Sequence, residues 1–280
     1  MNAQTQAAVA PPSDAFRFGR NWQRYLSDYS NPERERVAAE SLHGLLEMDL
    51  RGKTFLDIGC GSGLFSLCAH KAGAREVVSL DVDPDSVAAT TSLREREGGP
   101  DNWRVLHGSI LDDAFVGSLE RADVVYSWGV LHHTGDMNKA IANAASLVAD
   151  GGTFAIAIYN RVTGRFLDSE RWLRIKRAYN HSPRAVQVAM EWAYTLYFGL
   201  DELRSRRNPF RTAREYKSNR GMALRTDLID WLGGYPYEFA TVDELVRLCE
   251  PMGLRPRKVV ELSTMDTGNH ELVFTKDGGA

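Results

Sequence analysis

Short apolar runs alternate with longer amphipathic stretches through the first 160 residues. The runs Thr54–Ile58, Glu76–Leu80, Trp103–His107, Ala122–Ser127 and Thr153–Tyr159 have strand length, and Gly, Asp or Asn follows each within two residues. Leu64–Lys71, a segment opening at Pro84, and Met137–Val148 lie between them with helical spacing. Ahead of the first strand, Val37, Leu42, Leu45 and Leu46 place a helix within Asn31–Met48. This alternation predicts a doubly wound α/β sheet.

The period changes after Asn160. Residues 161–240 bring a basic helical stretch, Arg165–Tyr179, and an apolar helix, Val186–Leu200, whose one charge is Glu191. A run of arginines from Arg204 to Arg220 follows. Then comes Asp227–Thr241, where a glycine pair sits among Trp231, Tyr235, Pro236 and Tyr237. A loop this dense in rigid aromatic and polar surface is a candidate for function. The alternation resumes with a helix over Thr241–Met252, capped by Thr241, and strands over Lys258–Leu262 and Glu271–Thr275. The chain thus reads as a disordered tail (1–15), an N-terminal lid and core (16–160), a helical, basic cap (161–240), and a final part (241–280) that completes the core.

Composition narrows the class. With 43% hydrophobic and 25% charged residues among 280, the chain can bury a full core. Residues 1–15 lack the basic flank and long apolar centre of a secretion signal. No run of 18 apolar residues is present to span a membrane. Cys60, Cys68 and Cys249 form no C-x-x-C pair, and the odd count suits a reducing cytoplasm. Net charge is −3, yet residues 161–220 hold 14 Lys and Arg against 6 Asp and Glu. That segment suits a solvated face or recognition of an anionic small molecule, where Arg grips a carboxylate or phosphate with two hydrogen bonds. The negative total and the lack of a recognisable module argue against nucleic acid. The apolar helix lacks the Lys/Arg face of an interfacial helix; it reads as the core of the cap or the face of a homodimer.

The stretch that organises the chain is Phe55-Leu56-Asp57-Ile58-Gly59-Cys60-Gly61-Ser62-Gly63. Strand, tight glycine turn and helix in this order make a nucleotide site: glycines let a ligand approach the main chain, and the helix start offers unpaired N–H groups. The dinucleotide pattern G-x-G-x-x-G needs glycine at position 64, where this chain has Leu64, which disfavours a nicotinamide-dependent oxidoreductase. The pattern acid-x-G-x-G-x-G instead resembles the first motif of the class I S-adenosylmethionine-dependent methyltransferases. The resemblance covers roughly residues 50–160 and resumes in the last 40. The F-x-F-G-x-N-W, W-G-V-L-H-H, R-G-M and D-W-L-G-G-Y-P-Y-E elements look like a bacterial subgroup of small-molecule enzymes loosely akin to quinone-biosynthesis methylases. The resemblance implies a seven-stranded Rossmann-like sheet with its last strand antiparallel, S-adenosyl-L-methionine as cofactor, and a small-molecule acceptor.

Site residues follow. Asp57, Gly59, Cys60, Gly61 and Gly63 form the first motif. Asp81, 22 residues past Gly59, stands where an acid accepts ribose hydroxyls; Val82 would pack on the adenine, and Asp83 is the better helix cap. Ser109 and Ile110 would follow the adenine edge, although many members have Asp where Ser109 stands. Asp112 reads as a turn or cap residue. Ser127 and Trp128 would pass close to the sulfonium. His132 and His133 are adjacent, so one would face the pocket while the other packs or caps. The antiparallel last strand would bring Asn269, His270 and Glu271 to the pocket mouth. His132, His133 and His270 are the candidate bases; a base is needed only if the acceptor carries a proton. Trp22 and Tyr25, in an aromatic N-terminal segment, would cover the sheet edge or lid the cofactor. Tyr159, Arg220, Trp231, Tyr235, Tyr237 and Asn269 complete the substrate candidates. No ligand spacing supports a metal. Transfer to oxygen is the leading expectation, nitrogen the alternative, and a cofactor-binding module without chemistry a third.

Overall fold

The computed structural model describes residues 32–163, 167–204, 208, 228 and 231–278. Of these, residues 32–163 and 238–278 form one compact unit, and those between 167 and 237 a second.

In the first unit, α1 (Pro32–Leu46) precedes β1 (Thr54–Ile58), α2 (Leu64–Lys71), β2 (Glu76–Asp81), α3 (Pro84–Arg96) and β3 (Trp103–His107). Then follow α4 (Asp113–Gly117), β4 (Ala122–Trp128), a 3₁₀ turn (Leu131–His133), α5 (Met137–Ser146) and β5 (Val148–Tyr159). After the second unit's helices, α6 (Ser169–Asn180) and α7 (Arg184–Arg204), come α8 (Val242–Cys249), β6 (Leu254–Val260) and β7 (Asn269–Lys276). The seven strands lie in the order β3-β2-β1-β4-β5-β7-β6. The first five strands are parallel to one another, and β7 is antiparallel to both β5 and β6.

Two-residue periodicity assigns side chains to the two faces of this sheet. Phe55, Val124, Ala155 and Val273 pack with Leu42, Leu46 and Leu67 on one face. Leu56, Val125, Ile156 and Leu272 pack with Ile141, Ala144, Leu245 and Cys249 on the other. Each large apolar side chain buried this way contributes about 1.5–3 kcal/mol. Strand order reverses between β1 and β4, and a ligand crevice opens at the carboxyl ends of strands flanking such a switch.

The expected caps are present: Asp83 accepts from Asp85 N, Asp112 from Ala114 N and Phe115 N, and Thr241 forms a capping box with Glu244. Several boundaries differ from expectation. Helix α5 stops at Ser146, and β5 begins at Val148, because Val148 pairs with Ala122 before the glycine pair. Helix α8 ends at Cys249, with a 3₁₀ turn completing the stretch to Met252. Strand β6 starts at Leu254 rather than Lys258; it is an edge strand, where Pro256 and three basic residues are tolerated.

In the second unit, α6 buries Ser169, Trp172, Lys176 and Tyr179 along one stripe and turns Arg171, Arg174 and Arg177 to solvent. Helix α7 buries Glu191 and exposes Trp192, Leu196, Leu200 and Leu203. Trp22, Tyr25 and Arg220 lie outside the described residues.

Candidate functional site

The turn between β1 and α2 holds Gly59, Gly61 and Gly63 at φ of 75°, 55° and 80°, left-handed backbone that side chains adopt only with strain. Packing gives two of them a second reason. A Cβ on Gly59 would lie 2.3 Å from the Val130 side chain, and one on Gly63 2.8 Å from that of Thr90. Thr90, on α3, donates its hydroxyl to the Gly61 carbonyl at 3.2 Å and lies 3.3 Å from Cys60 Sγ, so α3 closes the turn from one side.

Two buried carboxyls flank this turn. Register sets Asp57 beside Ser79 of β2, and Ser66 of α2 reaches both. Trp103 Nε1 donates to Ser79 Oγ at 2.8 Å, and Ser66 donates to Asp57 Oδ2 at 2.6 Å. Each hydroxyl has one hydrogen, so Ser79 donates to Ser66 and the chain of bonds ends on Asp57. Burial pushes the Asp57 carboxyl up to about 7; the Ser66 bond opposes this, and the nearby Asp81 charge adds to it. Asp81 is 8% exposed. It accepts backbone N–H bonds from Asp83 at 2.9 Å and Gly61 at 3.0 Å. Burial pushes it up to about 6 against those bonds. Two bonds leave a carboxylate with spare lone pairs for hydroxyl donors.

The end of β4 closes the crevice. Ser127 Oγ donates to the Ile58 carbonyl at 2.9 Å, joining the carboxyl ends of β1 and β4. Trp128, 42% exposed, donates its indole N–H to Glu271 Oε1 at 2.8 Å. Gly129, at φ 75°, has open space where a side chain would stand, with Asn269 Nδ2 nearest at 4.0 Å. Asn269 Oδ1 is buried and has no hydrogen-bond partner among the described residues.

The adjacent histidines separate as adjacency requires. His132 is fully buried; its Nδ1 accepts the Tyr159 N–H at 3.3 Å, and its ring lies 3.9 Å from that of Tyr159. His133 is half-buried, with its ring edge-on to Tyr159 at 5.3 Å. Glu238 fixes this segment. Its carboxylate accepts Gly135 N and Met137 N at 3.1 Å each, and its own N–H donates to the His132 carbonyl at 2.9 Å.

Asn269, His270 and Glu271 do not share one face. Alternation along β7 sends Asn269 and Glu271 toward the Val273 face, and His270 toward the Leu272 face. His270 is 2% exposed, its Nδ1 accepts the Leu262 N–H at 3.1 Å, and burial lowers its pKa. It anchors the β6–β7 connection. Ser109 Oγ accepts Leu111 N, Asn143 holds the Ile110 carbonyl, and the Val82 carbonyl meets His107 Nε2 at 3.1 Å. Trp231, Tyr235 and Tyr237 belong to the second unit, where Trp231 and Tyr237 meet edge to face at 6.2 Å and His181 packs on Tyr235. Sequence reasoning passed over Ser66, Ser79, Thr90 and Glu238. A hydroxyl amid the apolar β2 run was the one available signal.

A family model described as a methyltransferase domain matches residues 30–218. Over 69 residues the chain is 44% identical to the ribosomal protein L11 methyltransferase of Vibrio parahaemolyticus, covering 25% of this chain and 23% of that one. Over 117 residues it is 33% identical to the ubiquinone biosynthesis O-methyltransferase of a Methylobacterium species, covering 42% and 45%. The matched stretch thus spans less than half of either relative. The magnesium protoporphyrin IX methyltransferase of Synechocystis PCC 6803, solved with S-adenosylhomocysteine, superposes with a TM-score of 0.53 at 14% identity, covering 92% of this chain and 94% of that one. The motif in β1 and its turn, the seven-stranded sheet with its antiparallel β7, and the match over most of the chain lead to one assignment: the chain belongs to the methyltransferase domain family, with the class I S-adenosylmethionine-dependent fold.

Proposed function

We propose that the chain transfers a methyl group from S-adenosylmethionine to a small, anionic acceptor, at oxygen. The observation that carries this reading is the pair of buried carboxyls, Asp57 and Asp81, on either side of the glycine turn. Ionising either in so dry a site is costly unless a cation or several donors approach it. A ligand with an ammonium and a sulfonium on one side of a ribose diol supplies both. The open main chain at Gly129 and the unpartnered Asn269 Oδ1 fit the same ligand.

Bound there, S-adenosylmethionine supplies an electrophilic methyl group. The chain's own residues then have three tasks: hold the acceptor in line, exclude water, and take a proton where the acceptor has one. Orientation alone can contribute about 7–11 kcal/mol. A carboxylate acceptor needs no base. For a hydroxyl, His133 is the preferred base, since it is half-buried, whereas His132 Nδ1 and His270 Nδ1 already accept backbone N–H groups. Tyr159, Trp128 and Asn269 would orient the acceptor. Oxygen is favoured by the likeness to a ubiquinone O-methyltransferase, and an anion by the basic balance of residues 161–220.

Calorimetric titration with S-adenosylhomocysteine and, separately, NAD tests the cofactor. Saturable binding of the first and none of the second is expected; the reverse would make the chain a dinucleotide enzyme.

A further inference from the structure

Lys176 is fully buried in the second unit. Its ammonium donates to the Trp231 carbonyl, and it lies 4.3 Å from the Trp231 ring centre, 4.8 Å from that of Tyr237 and 6.0 Å from that of Trp172. Among the described residues it has no carboxylate partner. Of the unit's described acids, Asp168 caps α6 and pairs with Arg171, and Glu191 binds Tyr179 and Arg184.

A lysine buried without an acid is expensive, and methionine would fill similar volume without that cost. Three ring faces around an ammonium offset it in a way no methionine can, because each face is electronegative. Burial pushes the ammonium down to about 7, and the rings act in the opposite direction by favouring the charged form. The two tyrosines facing this cluster stay protonated near neutrality. The Tyr237 hydroxyl is bound to Ser169 and the Tyr179 hydroxyl to Glu191, and burial pushes both up to about 12. His181 packs edge-on to Tyr235 at 6.3 Å.

The same helix makes a second grip one turn further on. Asn180 Nδ2 donates to the Gly233 carbonyl at 3.0 Å. Trp172, Lys176 and Asn180 recur every four residues, so a single stripe of α6 clasps the segment from Trp231 to Tyr237.

We propose that Lys176 is a positioning residue: its buried ammonium holds Trp231 and Tyr237 in place and so fixes the aromatic surface of the second unit. The clamp does not depend on the proposed function.

The test follows the indole N–H signals of the full chain by NMR after ¹⁵N-tryptophan labelling, with Trp231→Phe and Trp172→Phe for assignment. The Trp231 signal should move between pH 6 and 10 with one midpoint well below the ~10.4 of a free lysine, and should be flat in Lys176→Met. A Trp231 signal that does not titrate, or that titrates equally in Lys176→Met, overturns the clamp. Titration with S-adenosylhomocysteine serves as the control, and Lys176→Met should stay within about twofold of the parent, as a change confined to the second unit requires. If that variant does not fold, ¹³C-lysine labelling of the unaltered protein decides. One of the seven lysines should show ε-methylene signals shifted upfield by the rings; seven ordinary lysines would refute the proposal.

Discussion

Ser66 donates its hydroxyl hydrogen to Asp57 across 2.6 Å, tying α2 to β1 where the glycine turn begins. That bond is the last in a buried series from Trp103 through Ser79. It makes the ionisation of Asp57 depend on residues of α2, β2 and β3.

A pH dependence follows. The Asp57 and Asp81 carboxyls are raised by burial to about 7 and about 6. A raised folded pKa gives stability that is full below the unfolded value and lost as pH rises through the folded one. The ligand-free protein should therefore lose urea stability from pH 4 to pH 7.5, and Asp57→Asn should flatten that slope. Affinity for S-adenosylhomocysteine should run the opposite way and strengthen over the same range. Ser66→Ala should move the rise in affinity to higher pH. An affinity independent of pH would remove Asp57 and Asp81 from the site.

Asp81→Ala removes the acceptor for two backbone N–H groups as well as the proposed ribose contacts. Hydrogen bonds to a charged group are worth about 1.5–3 kcal/mol, so the Kd for S-adenosylhomocysteine should rise about 10–100-fold. Calorimetry that finds it unchanged would refute the ribose assignment.

Gly59→Ala should abolish cofactor binding and lower the melting temperature, since it combines positive φ with a 2.3 Å approach to Val130. Val130→Ala in the same chain should restore part of the stability, because it removes the two γ-methyls at 2.3 and 2.6 Å and leaves the Cβ contact at 2.9 Å and the backbone strain of about 1–2 kcal/mol. Absence of any rescue would mean the backbone alone imposes the glycine.

Glu238→Ala leaves Gly135 and Met137 N–H without their acceptor and should cost about 1–3 kcal/mol in denaturant unfolding. Glu238→Gln, which keeps one oxygen, should lose less. Equal losses would mean that the carboxylate oxygens do not hold the His132–His133 turn.

The glycine turn was legible because left-handed backbone leaves an unambiguous mark on a sequence, and the strands because β1, β2, β4 and the Thr153–Tyr159 part of β5 are apolar runs of strand length. Strand β6 was half-read: its first residues, Arg255, Pro256 and Arg257, look like loop, and only their place at the sheet edge makes a strand of them. His270 follows from counting residues along β7 once its neighbours are assigned to faces, which the sequence alone does not do. The Ser66–Asp57 bond and the burial of Lys176 depend on contacts between elements. Lys176 in particular shares its positive charge with the exposed arginines beside it, and nothing in the sequence marks it as the buried one.

The most direct measurement supplies the purified protein with methyl-deuterated S-adenosylmethionine and a small-molecule cell extract, and follows the label by mass spectrometry. A labelled, small, anionic product whose fragmentation places the methyl group on oxygen is expected, with roughly 5- to 50-fold less from Asp81→Ala at cofactor concentrations near the unaltered protein's Kd. Tight cofactor binding with no labelled product would contradict the assignment of a small-molecule methyltransferase, and a label on nitrogen would contradict the choice of oxygen.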